Sequence, residues 1–306
     1  MQRKLNKNKL NKNLFIFLML VFPLAQFAVF YVYLNFNNIT LAFKGMRSDF
    51  STYFVGFENF KMVFNGLETH YLVISLKNNL LMFLLTWIIG MPLNILFGYY
   101  LYKKRFGHRF IRIIYMLPSM VSGVVMAMLF MKFVELGLPL MWKEVFKTEL
   151  PNLLRSNDTA FGVQVFYALW LGFATSIIIY SNAMNAIDPE ITEAGRIDGT
   201  TSFKELIYIV VPMITPTLAT YIITGTAGMF TGGGALFIFY GLIGVPENAY
   251  LMGYYLFKIA MVGDLTAYPF ASAVSIMLTI ITVPITLSVR WIMDKIDPMR
   301  DNYSAQ

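Results

Sequence analysis

The strongest constraint in this sequence is a series of six apolar stretches, at about 14–34, 73–101, 113–134, 160–187, 207–237 and 267–293, each near the roughly 20 residues a helix needs to cross a bilayer. Hydrocarbon offers no partner for a backbone N–H or C=O, so such stretches must close their hydrogen bonds internally, as helices. The expectation is an all-α membrane protein with six transmembrane helices. Composition agrees: 57% of the 306 residues are hydrophobic and 13% charged, far from the balance of a soluble globular chain. The sequence contains no cysteine, which leaves out disulfides, thiolate metal sites and lipidated thiols.

Arg3, Lys4, Lys7, Lys9 and Lys12 precede the first stretch. Its apolar run of about 21 residues exceeds the 7–15 of a secretory signal and points to an uncleaved anchor. Lys103, Lys104, Arg105, Arg109 and Arg112 crowd the next basic loop, whereas segments 35–72 and 135–159 are nearly charge-balanced. Short loops rich in Lys and Arg stay in the cytoplasm. The tail 1–13, the basic loop and the tail 299–306 are therefore expected inside, flanking a six-span domain over 14–298. The net charge of +7 is then a topology signal, with no nucleic-acid partner expected. Apolar sequence continues from 207 through Gly232, Gly233 and Gly234 to Val245. One long helix over 207–237 followed by a re-entrant or surface segment is expected, because these glycines weaken a helix without supplying an antiparallel turn. A second crossing within 207–245 is the alternative, and it would carry the C-terminus outside.

Between the fourth and fifth stretches lies a polar loop, 186–206, "AIDPEITEAGRIDGTTSFKEL", holding five carboxylates. Asp188 is placed to cap a helix whose first residue is Pro189, where the missing N–H costs nothing. Gly199 can take the left-handed conformation that ends it. Ser202 and Glu205 then fit a capping box that starts a second helix. The loop thus reads as a helix along the cytoplasmic membrane face, a sharp corner, and a helix that enters the bilayer.

The run Glu193-Ala194-Gly195, followed by Gly199 and, after "IVV", by Pro212, resembles the EAA loop of binding-protein-dependent ABC importer permeases. Gly195 stands where the family has its second alanine and Val211 where it has leucine; Asp188 parts an Ile-Pro pair. Four further stretches are similar to the carbohydrate-type permeases: "YFVGFENFKMVF" (53–64), "LKNNLLMF" (76–83), "IIYMLPSMVSGVVMAMLF" (113–130) and "AYPFASAVSIMLTII" (267–281). The resemblance spans about 14–298, and the long segment after the first span looks more like the first than the second permease of a heteromeric pair.

This resemblance implies the type I importer permease fold, with residues 189–199 as a coupling helix seated in a cytoplasmic ATPase. Ala194 and Gly195 would allow close approach, Ile191 and Ile197 would supply apolar knobs, Glu193 and Asp198 would accept hydrogen bonds or pair with basic groups, and Gly199 would set the corner. It implies a second permease subunit, two ATPase subunits that use ATP and Mg, an extracytoplasmic solute-binding protein and a sugar or oligosaccharide substrate. The setting would be a prokaryotic cell membrane with both termini cytoplasmic. No cofactor is expected on this chain itself, since "TGTAGMFTGGGA" lacks the lysine of a phosphate-binding loop. Carried over position by position, the family's central cavity corresponds to Trp170, Leu171, Gly172 and Thr175 in the fourth span and Met229, Phe230 and Thr231 in the fifth. Glycerol phosphate or another polar solute stays open beside the sugar.

Two other classes find less support in the residues. A proton-coupled carrier needs acidic groups or histidine within its spans, whereas all 17 acidic residues, with His70 and His108, fall in expected loops or tails. A sodium site of carbonyls and hydroxyls remains compatible with the sequence. An enzyme needs a nucleophile and base, or a metal cluster, within reach of each other; two histidines and no cysteine supply little.

Overall fold

The computed structural model describes residues 2–65, 69–242 and 244–297; the expected tail 299–306 lies outside them. Among these residues five helices are long and apolar enough to cross a membrane, six if one bent pair counts as a single span. In chain order the elements are α1 (Phe15–Ala42), β1 (Lys44–Met46), β2 (Thr52–Phe54), α2 (Glu58–Asn65), α3 (His70–Tyr102), α4 (His108–Met120), α5 (Gly123–Phe146) and α6 (Ala160–Asn185). They continue with α7 (Pro189–Ile197), the bent pair α8 (Ser202–Met213) and α9 (Thr215–Ala227), α10 (Leu236–Tyr240), α11 (Met252–Val262) and α12 (Tyr268–Ile296). The helix that becomes α1 already begins at Gln2, so the expected tail 2–13 is itself helical.

The chain divides into two compact units, Met1–Gly66 with Gly263–Met277, and Leu67–Val262 with Leu278–Gln306. In the first, β1 and β2 pair antiparallel with Gly45 opposite Tyr53. Asn59 is buried and donates from Nδ2 to the carbonyls of Ala42 and Lys44, both at 2.8 Å. Phe43 packs on Phe57 and Phe60 with ring centroids 5.4 and 5.2 Å away. The 53–64 motif is thus a small hairpin-and-helix device, held by one amide and three rings.

In the second unit α3 packs along α6, with α4 beside them. Two expected spans are corrected here. The third is expected over 113–134, but α4 ends at Met120 and the chain is extended at Val121 and Ser122 before α5 starts. Pro118 withdraws one helical donor and Ser122–Gly123 supplies a new start, so apolarity continues through a break in the backbone. The fifth is expected over 207–237 as one helix; instead it bends by 68° at Ile214, between Pro212 and Pro216, and α9 stops at Ala227. Residues 228–242 and 244–251 are largely irregular, with α10 and a short 3-10 turn at Glu247–Ala249.

That irregular backbone needs partners, and two adjacent amides of α3 provide them. Asn78 Nδ2 donates to the carbonyls of Asn248 (2.8 Å) and Tyr250 (2.9 Å). Asn79 Nδ2 donates to Met229 (2.8 Å) and Gly232 (3.3 Å), while its Oδ1 accepts from Met252 N–H at 2.7 Å. Four spans also carry a widened π turn, and in three of them, at Thr86–Gly90, Phe133–Gly137 and Leu206–Val210 but not at Ala28–Tyr33, a proline follows two residues later, Pro92, Pro139 or Pro212. A proline lacks the N–H and its ring collides with the carbonyl four residues back; the wider turn relieves both.

Candidate functional site

The loop between α6 and α8 is built by local chemistry. Asp188 Oδ1 accepts from Glu190 N–H at 3.0 Å, and Pro189 opens α7, as the sequence indicates. The helix ends at Ile197 with Asp198 as its C-cap, and Gly199 follows with φ +77° and open space where a Cβ would stand. Thr200 then donates from both N–H (3.0 Å) and Oγ1–H (2.7 Å) to the carbonyl of Gly195, closing the last turn. The second helix is capped one residue earlier than expected. Thr201 Oγ1, not Ser202, accepts from Lys204 N–H at 3.4 Å.

Glu205 is also not the partner of that cap. It is 3% exposed and forms an ion pair with Lys103, itself 11% exposed, just beyond the C-terminal end of α3. Glu135 is a second departure, because it lies within α5 and pairs with Arg155 at 3.6 Å. Glu205 stays within the 186–206 segment, in the first turn of the helix expected there, whereas the expectation that every acidic residue sits in a loop or tail is corrected at Glu135 and Glu144, both within α5, and at Asp294 within α12.

The two sides of α7 differ. Thr192 and Gly195 are buried, whereas Ile191, Glu193, Ala194, Ile197, Asp198 and Gly199 are exposed, Ile197 by 87%. Ile191, Ala194 and Ile197 recur at three-residue spacing and form one apolar stripe on the outer side. Gly195 faces inward: a Cβ there would come within 2.5 Å of Ile209 Cδ1, so its small size serves packing inside the chain. Behind it lies a buried cluster in which Tyr99, Tyr180, Met184, Ile187, Leu206, Val210, Ile214 and Leu218 join α3, α6 and the α8–α9 pair.

A cavity of about 510 Å³ opens between α3, α6 and α9. Of the seven carried-over positions, Gly172 and Met229 line it. Leu171 lines a neighbouring cavity of about 540 Å³ with Gln164 and Tyr167. Trp170 packs on Phe130, with centroids 5.9 Å apart, and Phe230 is buried. Thr175 and Thr231 are exposed and line neither cavity. α3 supplies more of the first wall than any other element, with Thr86, Trp87 and Asn94 among its residues, joined by Ser176 of α6 and Tyr221 and Thr224 of α9. None of these six is among the carried-over positions. Asn79, Thr86, Gly90 and Asn94 nevertheless fall on one helical face, and that polar spacing within an apolar run was the available signal. Asn94 is buried, and among the described residues its Oδ1 has no hydrogen-bond partner.

The chain belongs to the family of binding-protein-dependent transport system inner membrane components, whose model matches residues 88–301. It is accordingly a multi-pass membrane permease of an ABC importer, not an enzyme, and it works with a solute-binding protein and an ATPase. Among curated proteins it is 28% identical to the glucose import system permease protein GlcT of Saccharolobus solfataricus, over 90% of this chain and 97% of that one. It is 27% identical to the multiple sugar-binding transport system permease protein MsmF of Streptococcus mutans, over 85% and 84%. Among solved structures, a chain of a bacterial ABC transporter involved in import of the acidic polysaccharide alginate aligns with a TM-score of 0.79 at 18% identity, covering 94% of this chain and 98% of that chain. At that identity the likeness establishes the fold alone.

Proposed function

We propose that this chain is the permease subunit through which an ATP-driven importer passes a neutral sugar or oligosaccharide, delivered by an extracytoplasmic binding protein. A second permease subunit completes the pathway, and two ATPase subunits, which bind the ATP and Mg, power it. Both termini lie in the cytoplasm, and α7 is the segment that docks on the ATPase. The names of the sugar permeases it resembles support the substrate class. So does the cavity lining, which combines the aromatic residues Trp87 and Tyr221 with the amide or hydroxyl residues Asn94, Thr86, Thr224 and Ser176. Aromatic faces beside neutral hydrogen-bonding groups suit a polyhydroxylated ligand. A phosphorylated solute calls for cationic partners, and the residues lining this cavity include none.

The observation that carries the coupling role is the exposed Ile191, Ala194, Ile197 stripe on a helix whose inner side is fixed by Thr192 and Gly195. An apolar stripe of this kind, rimmed by Glu193 and Asp198, suits a partner's cleft. Because the chain has no cysteine of its own, Ala194→Cys gives a single thiol for cross-linking. With a cysteine in the ATPase cleft, a cross-linked product is expected. No product from Ala194→Cys or Ile197→Cys, with and without nucleotide, rejects α7 as the docking segment.

A further inference from the structure

Movement imposed on α7 reaches α9 through the chain itself, because α8 leads directly into it. α3 has no such covalent route to the loop, yet it supplies Thr86, Trp87 and Asn94 to the cavity. We infer that the buried Lys103–Glu205 ion pair is a second mechanical connection, delivering movement of the α7–α8 loop to α3. The inference rests on the proposed docking of α7 on the ATPase.

The surroundings of the pair fit a tie that moves as one piece. The Lys103 ammonium lies 5.5 Å from the ring centres of both Tyr99 and Tyr102, so the last turn of α3 surrounds it with aromatic faces. Glu205 belongs to the first turn of α8, next to Leu206 of the buried cluster that also contains Tyr99. A neighbouring contact runs the same way: Arg105 Nη2 donates to Ser202 Oγ at 3.3 Å. Arg105 and Arg196 line the same small recess as the pair, so local charge is net positive and Glu205 is the one carboxylate among the described residues on its wall. Separating two buried opposite charges leaves each one uncompensated in a poorly polarisable setting, so α3 and α8 are held against sliding apart. An apolar contact at this place would resist separation far less sharply. Lys103 and Glu205 are thus positioning residues, acting through the helices that carry the cavity wall.

The test uses the assembled importer in lipid nanodiscs, with Lys103→Cys and Glu205→Cys combined in this chain and the partner subunits freed of accessible thiols. Basal ATPase activity and ATPase stimulation by sugar-loaded binding protein are read before and after a flexible bis-methanethiosulfonate links the two cysteines. Before linking, basal activity is expected to match wild type and stimulation to be lost. After linking, stimulation returns, and neither single-cysteine variant responds to the reagent. Wild-type stimulation in the unlinked pair overturns the inference, as does a link confirmed by mass that leaves stimulation absent. Lys103→Met with Glu205→Gln keeps the volume and buries no charge; it is used if the cysteine pair does not assemble, and full stimulation in it is equally decisive against the tie. Glu193→Lys and Gly199→Val are run in parallel. Normal stimulation in those two removes the docking role of α7 and this inference with it, whereas loss in them with full stimulation in the pair variants removes the Lys103–Glu205 tie alone.

Discussion

Substituting Gly199 isolates the effect of one backbone angle on coupling. Its φ is +77°, and no heavy atom lies within 4 Å of the place a Cβ would occupy, so a side chain meets no obstacle there. The whole cost is intrinsic to the backbone. For an ordinary L-residue the left-handed conformation costs roughly 1–2 kcal/mol, which is about a 5- to 30-fold shift in the population of the native corner. Asparagine tolerates the region better, and a β-branched side chain tolerates it worst. The corner also holds the bonds from Gly199 N–H to Arg196 O and from Thr200 N–H to Gly195 O, each 3.0 Å, so losing it frays the end of α7 beside Ile197. ATPase stimulation by loaded binding protein, measured on equal amounts of assembled complex, is expected to fall in the order wild type, Asn, Ala, Val. Equal stimulation by Gly199→Val and wild type refutes the reasoning. Equal loss in Gly199→Asn and Gly199→Val also refutes it, by showing that the surface at 199 matters and the angle does not.

Further outcomes follow from the cavity, the α3 clamp and the topology. Gly172→Trp should abolish uptake while leaving assembly intact, because Gly172 lines the 510 Å³ cavity and has open space at its Cβ position; normal uptake would remove that cavity from the pathway. Asn79→Ala should destabilise the chain by about 1–3 kcal/mol, since it leaves buried backbone groups of Met229 and Met252 without partners. An unchanged melting temperature, with no new protease cleavage within 228–251, would contradict that. A reporter fused after Gln306 should be cytoplasmic and one inserted near Asn152 extracytoplasmic; a C-terminal reporter found outside would refute the six-span arrangement.

Features governed by neighbours in sequence were legible, and those governed by distant contacts were not. Asp188, Pro189 and Gly199 act within one turn of the backbone they organise, so their roles could be read directly. Thr201 and Ser202 both carry hydroxyls able to cap α8; the choice between them depends on how Glu205 is used, and that is decided by Lys103, 102 positions earlier in the chain. Pro212 and Pro216 were visible, yet hydropathy does not register the bend between them, because the sequence stays apolar across it. The cavity wall was missed on α3 for a similar reason: with apolar residues on all sides, the sparse polar face of Asn79, Thr86 and Asn94 gives a weak periodic signal. Gly195 was legible as a small residue, but the neighbour requiring that size, Ile209, is revealed only by the packing of α7 on α8.

The most direct measurement is sugar uptake into proteoliposomes containing this chain with its second permease and ATPase subunits, ATP enclosed and binding protein outside. Uptake should require both ATP and the loaded binding protein and should persist when ionophores collapse every ion gradient. Uptake driven by a proton or sodium gradient without ATP would contradict an ATP-driven importer and identify the chain as an ion-coupled carrier.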